Sequence, residues 1–143
     1  ISSLPAPVLT ADVVDLLEPG ATVFPVVYWH EPTGRTAGAL PDDHTLWMRI
    51  WQHRENLTGF AHTHPGGGAP PAPSHEDLTT FYAVERALGQ PLIWWIVNST
   101  HAVWCEWNPD WYANPAALPA QRYTVTAAAP QPWMDELRRR SNI

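Results

Sequence analysis

Apolar positions in this chain fall into short runs of two different periods. Leu92 to Val97 (LIWWIV) is apolar throughout, the mark of a strand covered on both faces. Asn98-Ser99-Thr100 reads as a turn, and His101 to Trp107 as the strand returning from it. Leu57 to His62 is another short apolar strand. Ala21 to Trp29 is rich in β-branched and aromatic residues (Val23, Phe24, Val26, Val27, Tyr28, Trp29), and Pro25 within it marks an edge strand or a bulge. Glu31-Pro32-Thr33-Gly34 is a turn signal that predicts a hairpin returning through Arg35 to Leu40. Arg122 to Thr126 predicts one more edge strand.

Other stretches carry the helical period. Thr10 can cap a short helix over Ala11 to Leu17, with Val13, Val14, Leu16 and Leu17 on its apolar side and Glu18-Pro19-Gly20 as its stop. His44 to Glu55 repeats Leu46, Trp47, Ile50, Trp51 and Arg54 at helical spacing, which predicts that both tryptophans pack in the core. Ser74 to Leu88 mixes Leu78, Phe81, Tyr82, Val84, Glu85 and Leu88 at the same period, and Gly89 ends it. Trp133 to Arg140 predicts a final helix, with Trp133 and Leu137 on one side.

The order is helix, hairpin, helix, strand, loop, helix, strand, strand. Hairpins among interleaved helices and strands predict an α/β fold with a mixed, largely antiparallel sheet flanked by helices. At 143 residues the chain predicts a single domain, with its core over about 10–107 and residues 108–143 as an extension packing on it. There is no internal repeat and no domain linker.

Composition narrows the classes. Hydrophobic residues make up 45%, which argues against general disorder. All eight basic residues are Arg, and the formal charge of −6 gives no nucleic-acid surface. The run Arg138-Arg139-Arg140 suits the field at a helix C-terminus. Cys105 is the single cysteine and reads as a buried strand thiol. No signal peptide and no membrane-spanning stretch is visible, so the expected setting is reducing and cytoplasmic.

The chemistry concentrates in residues 59–77. His62 and His64 end a strand, two residues apart, so they point the same way at about 7 Å spacing along it. Residues 65–73 hold four Pro, three Gly and two Ala and form a loop. Ser74 then opens a helix whose first turn carries Asp77, a capping-box pattern in its own right. Two His and one Asp make a three-ligand zinc site with a fourth position open to water, the pattern of a catalytic site. Zinc would bring the pKa of that water toward about 7, and a further carboxylate would have to move the proton.

The stretch His62-Thr63-His64-Pro65 … Ser74-His75-Glu76-Asp77 resembles the motif of the JAMM/MPN zinc metalloproteases: His-Ser/Thr-His-Pro, a loop, then Ser-x-x-Asp. The likeness is specific over residues 59–78 and extends loosely over 21–107 through the order of elements. It implies a cytidine-deaminase-like fold and a zinc-dependent isopeptidase. By position, His62, His64 and Asp77 match the zinc ligands, and Ser74 matches the serine that hydrogen-bonds the tetrahedral oxyanion. His75 and Glu76 match variable positions and read as solvent-facing. The chain departs from the family in two places. The loop from Pro65 to Pro73 is longer than usual, which adds little closure entropy. The family's general-base glutamate lies near the start of the strand after the first helix, where this chain reads Gly20-Ala21-Thr22-Val23. Glu18 and Glu31 are poorly placed for the role, and a glutamate exchanged for Ala21 would account for the gap.

What the resemblance implies is an enzyme that removes a ubiquitin-like protein from conjugates or processes its C-terminus. The arginine- and tryptophan-rich, lysine-free composition looks bacterial, and bacterial relatives of this kind accompany E1-like and E2-like enzymes in operons, often in phage defence. The alternatives are a cell-wall or phage-tail peptidase with the same zinc, or a catalytically inactive module that binds a ubiquitin-like protein. Trp107, Trp111 and Trp133 are the candidate interface tryptophans, with core packing as the competing reading.

Overall fold

The computed structural model describes residues 12–15, 26–30, 44–55, 57–107, 123–141 and 143. In chain order these form β1 (Asp12–Asp15), β2 (Val26–His30), α1 (His44–His53), β3 (Gly59–Thr63), α2 (His75–Leu88), β4 (Ile93–Val97), β5 (Ala102–Trp107), β6 (Tyr123–Ala127) and α3 (Pro132–Ser141). The strands make one mixed sheet in the order β2-β1-β3-β4-β5-β6. Only β3 and β4 run parallel, because α2 carries the chain back between them; every other neighbouring pair is antiparallel.

The alternation of side chains along the strands builds two cores. Phe60, Trp94, Ile96, Val103 and Cys105 face Ile50 of α1 and Phe81 and Val84 of α2. Ala61, Trp95, Val97 and Ala102 face Trp133, Met134 and Leu137 of α3. The sheet is thus sandwiched between two helical layers. This explains why Leu92 to Val97 has no polar side: β4 is central and both of its faces are covered. Trp133 belongs to the second core and Trp107 is buried against Tyr82 and Tyr123, each 5% exposed, which favours packing over interface for both; Trp111 lies outside the described residues. Cys105 is a buried free thiol, as its strand context predicts.

Two expectations are overturned. The segment around Val13 and Val14 is not a helix: Asp12–Asp15 is a strand, paired to β2 on one side and β3 on the other. An isolated helix that short is marginal, two adjacent valines favour extended backbone, and ladders on both sides decide the contest. Trp47 and Trp51 are not core residues. They are 40% and 56% exposed, while Ile50 between them is buried, at 4%. The two tryptophans instead line an open groove with Ile50 and with Ala83, Val84, Ala87 and Leu88 of α2. The guanidinium of Arg54 covers the Trp51 ring at 4.0 Å.

The hairpin predicted to return through Arg35 to Leu40, the candidate bases Glu18 and Glu31, and Ala21, where the motif expects a glutamate, lie outside the described residues. Among the described residues no helix is long and apolar enough to cross a membrane. The arginines at the end of α3 are engaged: Arg138 pairs with Asp135, Arg139 and Arg140 pair with Glu136, and Arg140 also lies over the Trp29 ring at 4.4 Å.

Candidate metal centre

The site forms where β3 ends and α2 begins. His62 follows Phe60 on the strand face turned toward α2, and its ring meets Phe81 edge-on, with centroids 6.2 Å apart. His64 lies one residue beyond the strand, held by its N–H donating to Val97 O at 3.0 Å. Thr63, between them, points the opposite way and donates to the buried Ser141 hydroxyl of α3 at 3.1 Å. The His-x-His pair is therefore fixed from behind by the C-terminal helix.

Asp77 arrives from the other element. Ser74 is the N-cap of α2: its Oγ accepts from Asp77 N at 3.0 Å, and Asp77 Oδ2 accepts from Ser74 N at 2.9 Å, a complete capping box. The box holds the carboxylate at the helix mouth with its two oxygens facing the histidines. His64 Nε2 stands 2.9 Å from Oδ2, His62 Nε2 stands 3.2 Å from Oδ1, and the two Nε2 atoms are 3.1 Å apart. Burial works against the charge on Asp77. Hydrogen bonds to His62 and His64, the charge of His62 and the Ser74 N–H outweigh it and hold the carboxyl well below the usual carboxylate range.

This arrangement fits a metal ion. A tetrahedral ion at about 2.0–2.1 Å from N and O ligands places those ligands roughly 3.3 Å apart, close to the spacings seen here. His62, His64 and Asp77 are the one group of three among the described residues whose donor atoms converge in this way. Their side chains keep 15%, 26% and 19% exposure, so a fourth position is reachable from solvent. Ser74 sits at the rim. Its oxygen accepts the cap bond and its O–H remains as a donor. His75 and Glu76 are exposed, in keeping with their variable positions. Cys105 takes no part: burial, and after it the Asp77 charge, push its thiol up to about 12.

One ionisable residue escaped the sequence reading. Glu85, about two turns along α2, is fully buried. Its Oε1 accepts from Trp94 Nε1 at 2.8 Å and from the Tyr123 hydroxyl, while Oε2 finds no hydrogen-bond partner among the described residues. Burial raises its pKa to about 7 against the pull of the Tyr123 and Trp94 hydrogen bonds. The signal was present in the sequence, since Glu85 shares the apolar period of Phe81, Val84 and Leu88. Its partners come from distant strands and left no local trace.

No protein-family model matches the chain, and no characterised protein matches it in sequence.

Proposed function

We propose that the protein is a zinc-dependent isopeptidase of the JAMM type that releases a ubiquitin-like protein from its conjugates or trims its C-terminus. The observation that carries this reading is the convergence of His62, His64 and Asp77, with donor atoms 2.9 to 3.2 Å apart beside the N-cap serine. The two histidines supply nitrogen donors. Asp77, held ionised by its neighbours, supplies the negative charge that favours a divalent cation over an empty triad. Zinc held there supplies Lewis acidity toward a scissile carbonyl and brings the pKa of water toward about 7.

The chain's own contribution is orientation. The capping box fixes the Ser74 backbone, so its hydroxyl is aimed before substrate arrives, and O–H donation to a developing oxyanion needs no rearrangement. Asp77 is committed to the two histidines and the cap, so the proton-accepting carboxylate has to come from elsewhere. The JAMM resemblance puts it near Gly20-Ala21-Thr22-Val23, where this chain has no acid. The choice of a ubiquitin-like substrate rests on the motif alone.

The test is cleavage of a ubiquitin-like protein fused or conjugated through its C-terminal glycine. Cleavage with added zinc that stops with a chelator and returns on readdition supports the proposal. A protein that takes up no zinc when purified in its presence sinks it. Zinc uptake with cleavage of cell-wall peptides but not of the fusion transfers the same site to the peptidase alternative.

A further inference from the structure

The loop joining His64 to Ser74 has no regular structure of its own, and its Gly-rich first half has the most conformational freedom to lose. It is nevertheless tied down at successive points by the turn between β4 and β5. Gly66 O accepts from Ser99 N at 3.1 Å and from Ser99 Oγ at 2.7 Å. Gly68 N donates to Thr100 Oγ1 at 2.8 Å. Ala69 O accepts from Asn98 Nδ2 at 2.8 Å. The approach is so close that a Cβ on Gly67 would lie 2.1 Å from Ser99 Oγ.

Asn98 is the centre of this clamp. It is 5% exposed, and each polar group it owns is used. Its Oδ1 accepts from His101 N at 2.7 Å and Thr100 N at 3.1 Å, which closes the turn. Its backbone N–H donates to His101 O at 2.9 Å. Its backbone oxygen accepts from Arg138 Nε of α3 at 2.7 Å. That leaves Nδ2 to reach across to the loop. The carboxamide offers an acceptor to the turn and a donor to Ala69 from two separate atoms at once. An aspartate keeps the turn and sets a carboxylate against a carbonyl oxygen.

We propose that Asn98 is a positioning residue of the metal centre, fixing through the loop of residues 66–69 the separation between His64 and the Ser74–Asp77 cap. This rests on the metal-site reading above. The ligands come from two elements joined by this loop, and their donor atoms must be held within about half an ångström for a tight site. Residues that orient ligands without touching the metal are commonly worth roughly tenfold to a hundredfold in metal affinity.

The experiment uses the full chain with Asn98→Asp, and with Gly67→Ala, which presses on the same clamp from the loop side. Zn2+ affinity is read by competition with a chromophoric chelator, and the visible absorption of bound Co2+ reports coordination geometry. The expected result is affinity lowered about tenfold in each variant, with a changed Co2+ spectrum. A residue that only stabilises the fold would lower the melting temperature and leave the spectrum of the folded, loaded protein unchanged. Wild-type affinity and spectrum in Asn98→Asp overturn the inference. Should that variant fail to fold, the same two unchanged readouts in Gly67→Ala overturn it. If the wild-type chain binds no ion, the metal reading falls and takes this inference with it. If the wild type binds, His64→Ala does not, and Asn98→Asp binds like wild type, this inference falls alone.

Discussion

Asp77 and Glu85 stand about two turns apart on α2, both turned toward the sheet and both largely removed from water, yet they ionise in opposite directions. Asp77 sits at the open end of the helix, where two imidazoles and the Ser74 N–H face its oxygens. Glu85 sits in the last turn, where a phenol and an indole donate to one oxygen and the Leu92 backbone N–H is the further donor to the carboxyl. Both are desolvated, and desolvation opposes charge in both. What separates them is that the neighbours of Asp77 can carry charge or hold a cation, while those of Glu85 are neutral. A buried carboxylate on a helix facing a sheet is thus not in itself a functional site. Partners able to carry charge make the difference.

The contrast can be broken most forcefully at the open end. Asp77→Asn keeps an acceptor for the cap but removes the charge, and it should lower zinc affinity by at least about 100-fold, measured by chelator competition; near-normal affinity would show the charge to be dispensable. Ser74→Ala should leave zinc bound, lower cleavage of a ubiquitin-like fusion by about 100-fold and cost about 1 kcal/mol of stability through the lost cap. Kinetics and urea unfolding on one preparation separate the two losses.

In the buried last turn of α2 the effects run with pH. Glu85 has a folded pKa near 7 against an ordinary value of 4.5, so between those values the folded protein holds the proton more firmly than the unfolded chain. The stabilising contribution is complete below pH 4.5 and is lost as pH rises through 7, about 3 kcal/mol in all. Glu85→Gln should abolish that slope and leave the variant the more stable protein at pH 8, as urea unfolding at pH 5 and pH 8 will report. Tyr123→Phe should have the least effect, about 1 kcal/mol. It should also shift the pH midpoint of stability upward, since one donor to the ionised form is gone. A downward shift would mean that the hydroxyl serves the protonated form.

The two regions differ as much in how well the chain announces them. His62, His64, Ser74 and Asp77 lie within a short stretch, and strand alternation and helix capping, both local rules, orient the two halves of the site. The mixed, largely antiparallel sheet was legible in the same way: β3, β4 and β5 are apolar runs bounded by turn signals, and α2 carries the helical period. β1 was not, because Val13 and Val14 fit a helix or a strand, and pairing with Ala61, Phe60 and Trp29 decides between them. The exposed flank of α1 was hidden too, since spacing places Trp47 and Trp51 on a face without saying how much of that face meets the sheet. Glu85 and Asn98 depend on partners from β6, β4 and α3, which no window of sequence contains.

The capping box has one more consequence, for how such a chain changes by descent. Ser74 and Asp77 serve folding as well as the metal, so selection for a well-started helix retains them even where selection for chemistry has lapsed. His62 and His64 take no part in the cap: His62 meets Phe81 with its ring edge, and His64 is held to β4 by its backbone N–H. A lineage that gave up the metal would lose the histidines first and carry an intact Ser-x-x-Asp for a long time afterward. Among its descendants the histidine pair, rather than the acid, is the diagnostic of a working centre.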